Sequence, residues 1–269
     1  MGSVIHVAIA GAAGRMGRAL VELIHTDTNI VLSGGFERPD APLVGMDMGL
    51  VAGVGELGVQ IKSSIEALDE DYEVLIDFTA PEPTLANVAL CRKARKRMVI
   101  GTTGLGDRSA AIDAAGEDIA IVFSPNMSVG VNLCFKLTEI AASALGDDVD
   151  VEIIEAHHRN KIDAPSGTAM RLGEIVAKTL NRDIRQCAVY GREGHSGPRQ
   201  RKTIGFATIR AGDIVGEHTV LFAGDGERVE ITHRASNRLT FARGALRAAA
   251  WVVGRERGVY DMQNVLNFR

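Results

Sequence analysis

The stretch VIHVAIAGAAGRMGR, residues 4–18, decides the fold. Its apolar first half, residues 4–11, predicts a buried strand, and the residues after the glycines begin a helical pattern. Gly11, Gly14 and Gly17 lie at GxxGxxG spacing between the two. Glycine allows a tight turn and a close approach of the backbone to a ligand, while the N–H groups at a helix start favour an anion. A strand, this glycine turn and a helix together predict a cradle for the phosphates of a dinucleotide.

The residues that follow repeat the alternation of strand and helix. Further β-rich runs predict strands at 30–37, 72–79, 98–104 and 118–126. Helical spacing predicts helices at 15–26, 63–71, 81–97 and 108–117. Such alternation is typical of a parallel sheet that helices cover on both faces. We therefore predict an α/β domain with a Rossmann-type doubly wound parallel sheet.

Residues at the ends of these strands are candidates to bind a nicotinamide cofactor. Glu37 ends the second strand, 20 residues beyond Gly17, where an acid meets the ribose hydroxyls in NAD-binding folds. Arg38 follows, and a guanidinium there donates charge-assisted hydrogen bonds to the 2′-phosphate of NADP, so the pair predicts the use of both NADH and NADPH. An exposed ion pair at the loop end is the alternative for Arg38. The GTTG (101–104) and SPN (124–126) segments end the fourth and fifth strands, at the expected ligand edge of the sheet.

The pattern changes at SPNMSVGVN (124–132), where proline, glycine and asparagine indicate a hinge between domains. A helix at 131–145, a strand at 149–158 and a helix at 166–179 come next. Three closely spaced strands then follow within 202–235, and their spacing favours an antiparallel meander. The last helical pattern, SNRLTFARGALRAAAWVVG, cannot form a domain alone and must pack on one of the other two.

Composition argues against several classes of protein. The 269 residues carry a formal net charge of −4 with a pI near 6.0, which argues against nucleic-acid binding. The basic run RKARKR (92–97) ends a helix, where cations complement the dipole. No apolar run of about 18 residues occurs in the sequence, so no membrane span is expected. Cys91, Cys134 and Cys187 are widely spaced and no metal-ligand spacing occurs, which favours a reducing cytosol and no metal site.

The stretch EAHHRNKIDAPSGTAM (155–170) brings two adjacent histidines, an arginine and a lysine to the start of a helix. Together with GAAGRMGR, FER (36–38), DFTAPEPT (77–84), VIGTTG and SPNMSVGVN, it closely resembles the bacterial 4-hydroxy-tetrahydrodipicolinate reductases, also called dihydrodipicolinate reductases. The resemblance runs from about residue 4 to the end of the chain. It implies an NAD(P)H-dependent reduction that yields tetrahydrodipicolinate on the route to diaminopimelate and lysine.

The family resemblance also implies an organisation. A dinucleotide-binding domain at 1–127 is completed by the C-terminal segment 239–269, and a substrate-binding and oligomerisation domain with an open mixed sheet lies at 128–238. The implied protein is a cytoplasmic homotetramer assembled through the central sheets. Its partner is a small dicarboxylate substrate, with no nucleic acid and no membrane. One departure is Ala80, where some members carry an arginine near the cofactor.

The resemblance carries roles over to individual residues. The cofactor-binding residues that it implies are Gly11, Ala12, Ala13, Gly14, Arg15, Met16, Glu37, Arg38, Gly101, Thr102, Thr103, Ser124, Pro125, Asn126 and Met127. The catalytic pair that it implies is His157 and Lys161, and the substrate-binding residues are His158, Gly167 and Thr168. Ser166 is added to the substrate-binding residues because its N–H and hydroxyl, at the start of the same helix, suit a carboxylate.

The substrate that the resemblance implies determines the chemistry. It is a six-membered ring with two carboxylates and an imine conjugated to a double bond, or its hydrated precursor. Hydride adds at ring C4, and the resulting enamine needs a proton at C3. Lysine acts as a cation or an acid and histidine titrates near neutral pH, so either His157 or Lys161 is the immediate donor. Because the glycine cradle and the substrate-binding helix start lie in different domains, we expect closure about hinges near 125–130 and 236–240.

Two other functions fit parts of the pattern. An amino-acid or aldehyde dehydrogenase of the same two-domain build would oxidise its substrate, and an aldehyde dehydrogenase would need a nucleophilic cysteine near the fifth strand. Cys134, the nearest, lies in an apolar helix stripe. A regulator that senses the nucleotide would keep the glycine loop but would have no use for the His-His-Arg-Asn-Lys segment.

Overall fold

The computed structural model describes residues 4–69 and 71–269. The described chain divides into two compact units. The first comprises the described residues up to Val129 together with Arg238–Arg269, and the second comprises Gly130–Asn237. The chain therefore passes from one unit to the other twice.

The described residues form the following strands and helices. The strands are β1 (Ile5–Ala10), β2 (Ile30–Phe36), β3 (Ile61–Lys62), β4 (Val74–Asp77), β5 (Arg97–Ile100), β6 (Ala120–Phe123), β7 (Asp150–His157), β8 (Ala188–Tyr190), β9 (Ile204–Arg210), β10 (Gly216–Ala223), β11 (Arg228–Ala235) and β12 (Gly258–Tyr260). The α-helices are α1 (Arg15–Ile24), α2 (Met48–Ala52), α3 (Pro81–Ala94), α4 (Ala110–Ala115), α5 (Val129–Leu145), α6 (Gly167–Thr179), α7 (Ile184–Cys187), α8 (Leu239–Val253) and α9 (Met262–Val265). Short 3-10 helices lie at Ile65–Ala67, Gly106–Ser109 and Gly146–Asp148.

In the described part of the first unit, seven parallel strands form a sheet in the order β12-β6-β5-β4-β1-β2-β3. This confirms the predicted Rossmann-type doubly wound sheet. The chain runs outward from β1 through β2 to β3 and then returns to β4 on the other side of β1. The order therefore reverses between β1 and β4, and the carboxyl ends of these strands are the expected place for a ligand. Ala10 and Asp77 pair in the register, so both strands end at this edge.

Alternate residues of the central strands pack on opposite faces of this sheet, as the pleat requires. Val7 and Ile9 of β1 belong to a core cluster shared with residues of α1 and α8. Ala8 and Ala10 belong to a second cluster shared with residues of α3 and α4. Because both faces are buried, the strands are nearly continuous apolar runs, and this pattern is the reason that the sequence predicts them.

Two features of the first unit differ from the expectation. The predicted helix at 63–71 is reduced to the 3-10 turn Ile65–Ala67. Glu70 within it lies outside the described residues, as do residues 1–3 of the predicted first domain. The C-terminal segment adds not only α8 but also β12, which pairs in parallel with β6. A strand of three residues has too short an apolar pattern to be predicted.

In the second unit, five described strands form a sheet in the order β11-β10-β7-β9-β8. β10 pairs antiparallel with β11 and β7, whereas the β7–β9 and β8–β9 pairs are parallel. The predicted open mixed sheet of an α+β domain is therefore confirmed. One face packs on α5 and α6, whose Phe135 and Leu172 share a core with Val151 and Ile153 of β7.

The predicted antiparallel meander of three consecutive strands is wrong in part. β10 and β11 form an antiparallel hairpin, with Val220 opposite Ile231. β9 is not next to β10, because β7 lies between them and pairs with both. Close spacing along the chain predicts pairing between consecutive strands. It cannot show that β7, from an earlier part of the chain, lies between β9 and β10. Its Val151 and Ile153 are fully buried, and the centre of the sheet is the position that buries them.

The segment Val129–Asp148, which contains α5, is long and apolar enough to cross a membrane by length and composition. Phe135 of this helix packs into the core of the second unit, while Leu133 and Ile140 are exposed. The core helix of a globular domain passes the same test, so the segment is weak evidence of a membrane span.

Candidate active site

A row of ionisable side chains continues the buried face of β7. Residues two apart on a strand share a face. Val151 and Ile153 lie in the core, and Glu155 and His157 follow on the same face with only 1% and 8% of their surfaces exposed. A buried carboxylate and a buried imidazole need partners, because burying an unpaired polar or charged group is costly. The partners come from other segments of the same unit.

Glu155 is the centre of a hydrogen-bonded cluster. His157 Nδ1 lies 2.5 Å from Glu155 Oε2. Arg210 donates from Nη1 to Oε2 and from Nη2 to Oε1, each over 2.8 Å. The register explains this contact, since Arg210 lies opposite His157 on the parallel neighbour β9. Paired N–H···O bonds between a guanidinium and a carboxylate are among the strong and directional hydrogen bonds of proteins.

Burial, hydrogen bonds and neighbouring charges shift the pKa values of Glu155 and His157. Burial alone would raise the pKa of Glu155, but hydrogen bonds from Arg210 and His157 outweigh it, and the pKa lies below its ordinary value. Burial lowers the pKa of His157, the hydrogen bond to Glu155 opposes this, and the positive charges of Lys161 and Arg210 add to it. Glu155 is therefore ionised near neutral pH, and His157 is largely neutral until a further negative charge approaches.

The loop after β7 holds Lys161 near the cluster. Lys161 N donates to His158 O over 3.1 Å and closes a turn. Lys161 Nζ donates to the two carboxylate oxygens of Asp163 over 2.7 and 2.9 Å. Arg210 Nη2 also donates to Asp163 O over 2.5 Å, so the guanidinium of the cluster fixes the loop as well. The positive charge of Lys161 contributes to the lowered pKa of His157, so both predicted catalytic residues belong to this group of charges.

Ser166 caps α6 and joins this helix to the cluster. Its Oγ accepts a hydrogen bond from Ala169 N over 3.2 Å, and its N–H donates to Glu155 Oε1 over 3.1 Å. Oγ also lies 2.9 Å from Nε2 of His218, a buried histidine of β10. The N–H and hydroxyl of Ser166 are thus used within the protein, which differs from the predicted contact with a substrate carboxylate.

The first turn of α6 offers donors to an anion beyond Ser166. Gly167 is exposed and Thr168 is half-buried at the start of this 13-residue helix. The first N–H groups of a helix lack partners within the helix, and the helix dipole favours a negative charge there. His158, on the preceding loop, has a buried Nδ1 with no hydrogen-bond partner among the described residues. These donors and Lys161 suit a carboxylate ligand.

Three members of the cluster, Glu155, Arg210 and His218, were not among the residues predicted from the sequence. Glu155 could have been found from the sequence, because it lies two residues before His157 and therefore shares the same face of the strand. Arg210 and His218 could not have been found in this way, since the pairing of their strands with β7 is not visible in the sequence. His218 packs edge-on against His157 with ring centroids 5.0 Å apart. Burial, with a smaller contribution from the charge of His157, lowers the pKa of His218 to about 3, so this ring is neutral at physiological pH.

In the first unit, the glycine loop has the backbone geometry of a phosphate cradle. Gly11 has a φ of +69°, in the left-handed region that favours glycine. The N–H groups of Gly11 and Ala12 donate to Phe36 O over 3.0 and 3.2 Å and fix the loop to β2. A Cβ at Gly17 would lie 2.4 Å from the carbonyl oxygens of Gly11 and Ala12, so only glycine lets α1 pack this closely. Gly14, the N-cap of α1, is exposed. This loop fits the diphosphate of a dinucleotide.

Glu37 and Arg38 follow β2 and lie in different environments. Glu37 Oε1 accepts a hydrogen bond from Ala13 N over 3.0 Å, so this carboxylate lies against the glycine loop. Arg38 is exposed and pairs with the equally exposed Asp40, with 3.3 Å between Nε and Oδ1. An ion pair this exposed contributes little, so Arg38 can exchange Asp40 for a phosphate at small cost.

A buried aspartate ties together the loops at the carboxyl ends of β4 and β5. Asp77 is fully buried and accepts a hydrogen bond from Thr79 N over 2.8 Å. Thr84 Oγ1 donates to Asp77 over 3.2 Å and lies 2.8 Å from Thr102 Oγ1. The side chain of Thr102, a predicted cofactor residue, is thus part of this internal network, whereas its neighbour Thr103 is exposed.

The predicted cofactor residues after β6 form a tight turn. Ser124 Oγ donates to Asn126 O over 3.0 Å, and Pro125 between them is exposed. Met127 is only 1% exposed, and its side chain belongs to the core cluster. Its carbonyl contacts α8 so closely that a Cβ at Gly244 would collide with it. The side chain of Met127 therefore packs in the core, in contrast to the predicted contact with a cofactor.

Comparison with known proteins places these features in a family. The family model described as dihydrodipicolinate reductase, N-terminus, matches residues 5–127, and the model described as dihydrodipicolinate reductase, C-terminus, matches residues 130–266. The chain belongs to the dihydrodipicolinate reductase family. The resemblance seen in the sequence motifs is therefore confirmed.

Similar proteins support the membership of this chain in the dihydrodipicolinate reductase family. The 4-hydroxy-tetrahydrodipicolinate reductase of Pseudomonas fluorescens is 60% identical over 265 residues, which cover 98% of this chain and 99% of the relative. The structure of dipicolinate-bound dihydrodipicolinate reductase from Paenisporosarcina sp. TG-14 is 25% identical, with a TM-score of 0.73 over 97% of this chain and 99% of that one. GenD2 from gentamicin A biosynthesis, solved in complex with NAD, shares the fold at 16% identity and a TM-score of 0.60, over 100% of this chain and 88% of that one.

Proposed function

We propose that this protein catalyses the NAD(P)H-dependent reduction of 4-hydroxy-tetrahydrodipicolinate to tetrahydrodipicolinate in lysine and diaminopimelate biosynthesis. The observation that carries the proposal is the cluster of Glu155, His157 and Arg210 beside the Lys161 loop, in a chain of the dihydrodipicolinate reductase family. This cluster sets a titratable imidazole beside a cation and a helix start. Such groups suit a dianionic ring that must gain a proton.

The substrate carboxylates are assigned to the groups around the start of α6. His158 is half-buried on the loop before α6 and is assigned to one carboxylate, and its Nδ1 has no hydrogen-bond partner among the described residues. Gly167 and Thr168 are assigned to a carboxylate at the start of α6, where the helix dipole favours a negative charge, and Lys161 supplies a positive charge. Ser166 supports them as the helix cap. The reductase from Paenisporosarcina binds dipicolinate, a ring with two carboxylates, which supports a ligand of this shape.

Protonation of the reduced ring is assigned to His157 and Lys161. When bound, the nicotinamide supplies the hydride that adds at ring C4. His157 Nδ1 is engaged by Glu155, so this ring exchanges protons with a ligand through Nε2. Lys161 carries its proton in the ion pair with Asp163. A nearby dianion raises the pKa of His157. Either His157 or Lys161 delivers the proton to C3.

The cofactor is assigned to the glycine loop of the first unit, with both NADH and NADPH accepted. The exposed N-cap Gly14 and the first turn of α1 face the diphosphate in this assignment. Glu37 accepts hydrogen bonds from the ribose hydroxyls, and Arg38 leaves Asp40 to bind the 2′-phosphate. Thr102 acts through the internal network that shapes the strand ends.

The sheet face opposite α5 and α6 is assigned to the interface of a homotetramer. Ile154 and Ile209 lie on this face on the neighbouring strands β7 and β9 and are 37% and 49% exposed, and clustered exposed apolar residues mark a candidate interface. Thr219 and Thr232 bond to each other over 2.9 Å and so satisfy their own hydroxyls. Analytical ultracentrifugation should show a tetramer that Ile154→Glu dissociates. The matched variant Val31→Glu, at an exposed strand residue of the first unit, should leave it intact. A monomeric unmodified protein would contradict the assignment. We place this tetramer in the cytoplasm.

Cofactor oxidation tests the proposed activity. The protein is mixed with NADH or NADPH and the freshly generated product of dihydrodipicolinate synthase, and the absorbance of the reduced cofactor is followed. We expect oxidation that depends on the ring substrate. Amino acids or aldehydes with the oxidised cofactor should give no reduction. If the protein binds NADH but none of the candidate substrates leads to oxidation of the cofactor, the protein would instead be a nucleotide-sensing regulator.

A further inference from the structure

We infer that Glu155 is a positioning residue for proton delivery, which orients His157 directly and the Lys161 loop through Arg210. The inference rests on the proposed function, because it assigns a role within the same site. Glu155 is 1% exposed, so its carboxylate acts through the groups that bind it and not through a ligand.

The carboxylate of Glu155 is fully used by protein donors. His157 Nδ1, two nitrogens of Arg210 and the N–H of Ser166 lie between 2.5 and 3.1 Å from its oxygens. An ionised carboxylate has about four acceptor positions and no proton to donate. Four donors therefore saturate it. A carboxylate in this state has no remaining capacity for a substrate or a water, and its function is to hold its neighbours.

This arrangement selects one tautomer of His157. Because an ionised Glu155 can only accept, the hydrogen bond requires a proton on His157 Nδ1. Nε2 is then the nitrogen that gains or loses the mobile proton. Gly216 lies beside this nitrogen, and an added Cβ there would be only 3.1 Å from His157 Nε2, so the glycine keeps a side chain away from it.

The same carboxylate sets the proton affinity of His157. The ionisable groups that act on this ring are Glu155 of β7, Lys161 of the following loop, Arg210 of β9 and His218 of β10. Of these, only Glu155 is negative. Burial and the two cations lower the pKa of His157, and Glu155 opposes them. Removing its charge should therefore weaken the hold of His157 on its proton.

Arg210 extends the effect of Glu155 to the loop. Its guanidinium binds the carboxylate with two hydrogen bonds and Asp163 O with a third. Asp163 in turn pairs with Lys161. The orientation of both candidate proton donors is therefore tied to one buried carboxylate.

A positioning role of Glu155 can be distinguished from a purely structural role by experiment. A glutamate that only neutralises Arg210 would affect stability but not the tautomer of His157 in the folded protein. Glu155→Gln keeps the shape and removes the charge. Glu152→Gln is the matched control, because Glu152 lies on the other face of the same strand and pairs with Arg192 and Arg199.

The experiment measures His157 in the free protein by ¹⁵N NMR of labelled histidine, with the signal assigned through His157→Gln. We expect the Nδ1–H tautomer in the unmodified protein and in Glu152→Gln. In Glu155→Gln we expect a mixture of tautomers and a titration midpoint at lower pH. We also expect kcat of Glu155→Gln to fall by about 10- to 100-fold, with KM for NADH unchanged.

Folding of each variant is checked by circular dichroism. If Glu155→Gln does not fold, Glu155→Asp decides, since it keeps the charge for Arg210 but draws the carboxylate away from Nδ1. A folded variant whose His157 tautomer, titration and kcat match those of the unmodified protein overturns the inference. Because the NMR measurement needs no substrate, an unmodified protein that reduces no ring substrate would overturn the proposed function separately.

Discussion

His157 and Arg210 lie opposite each other in the register of β7 and β9, and both bind the carboxylate of Glu155. The pairing continues past the strand ends, where Ala211 N donates to His157 O over 2.9 Å and Arg159 N donates to Gly212 O over 3.2 Å. Because the two strands are parallel, their carboxyl ends meet at one edge of the sheet. The position of β7 beside β9 therefore brings Glu155, His157 and Arg210 together.

The proton donors should be separable from the substrate-binding residues by kinetics. We expect His157→Ala and Lys161→Ala to lower kcat by roughly 10²- to 10⁴-fold, the usual span for general acid–base catalysis. His158→Ala should mainly raise KM, because a contact made before and after hydride transfer contributes equally to both states. Steady-state kinetics on variants of intact fold measure this, with the exposed His195→Ala as the control. Near-normal kcat in both of the first two variants would leave water as the proton source.

The use of both nucleotides should depend on Arg38. We expect NADH and NADPH to bind within about one order of magnitude of each other, or about 1.4 kcal/mol. Arg38→Ala should weaken NADPH more than NADH, because the guanidinium contacts only the additional phosphate in the proposed assignment. Asp40→Ala, which removes only the exposed partner of Arg38, is the control and should not weaken NADPH. Titration by fluorescence measures the affinities, and a hundredfold preference in the unmodified protein would contradict the prediction.

Stability should fall on mild acidification because of His218. Burial lowers the pKa of His218 to about 3 in the folded protein, against about 6.5 for an unfolded histidine. The unfolded state therefore binds the extra proton below about pH 6.5, and the stabilisation is present above that value and is lost as the pH falls toward 3. For His218 alone we expect a loss of about 2 kcal/mol between pH 7 and pH 5.

Urea unfolding at the two pH values measures this loss. His218→Gln should remove that part of the pH dependence while retaining a group that can bond to Ser166. The control variant is His195→Gln, which replaces an exposed histidine. Equal pH dependence in His218→Gln and the unmodified protein would show that this ring is not buried in its neutral form.

The glycine loop should not tolerate a side chain at residue 17. A Cβ there would lie 2.4 Å from two carbonyl oxygens, so Gly17→Ala must push α1 away from the loop. We expect a loss of about 1–3 kcal/mol in the free energy of unfolding, together with weaker binding of the dinucleotide. Gly254→Ala is the matched control in the same unit, since it has a φ of −86° and no atom within 4 Å of an added Cβ. Equal stability of the two variants would contradict the close packing.

Much of the first unit is predictable from local pattern. Its strands are buried on both faces, so each is an apolar run, and the glycine spacing predicts the turn that joins β1 to α1. The loop at 158–168 is predictable because its titratable residues are adjacent in sequence. In both cases the signal lies within a few residues.

The rest depends on contacts between distant parts of the chain. Arg210 and His218 reach His157 only because β9 and β10 flank β7, and no local spacing encodes that order. Ser166 is a good helix cap in the sequence, but its bond to Glu155 is visible only in the fold. The sequence predicts a loop at Met127. Its burial results from packing with α8, which begins more than one hundred residues later in the chain.

Transfer of deuterium tests the central claim most directly. The protein is supplied with NADH that carries deuterium at both C4 positions and with the freshly generated ring substrate, and the product is analysed by mass spectrometry and NMR. We predict one deuterium in each tetrahydrodipicolinate molecule, located at ring C4, with His157→Ala forming the same labelled product far more slowly. Oxidation of the cofactor that leaves the ring unlabelled, or no oxidation at all, would contradict the account.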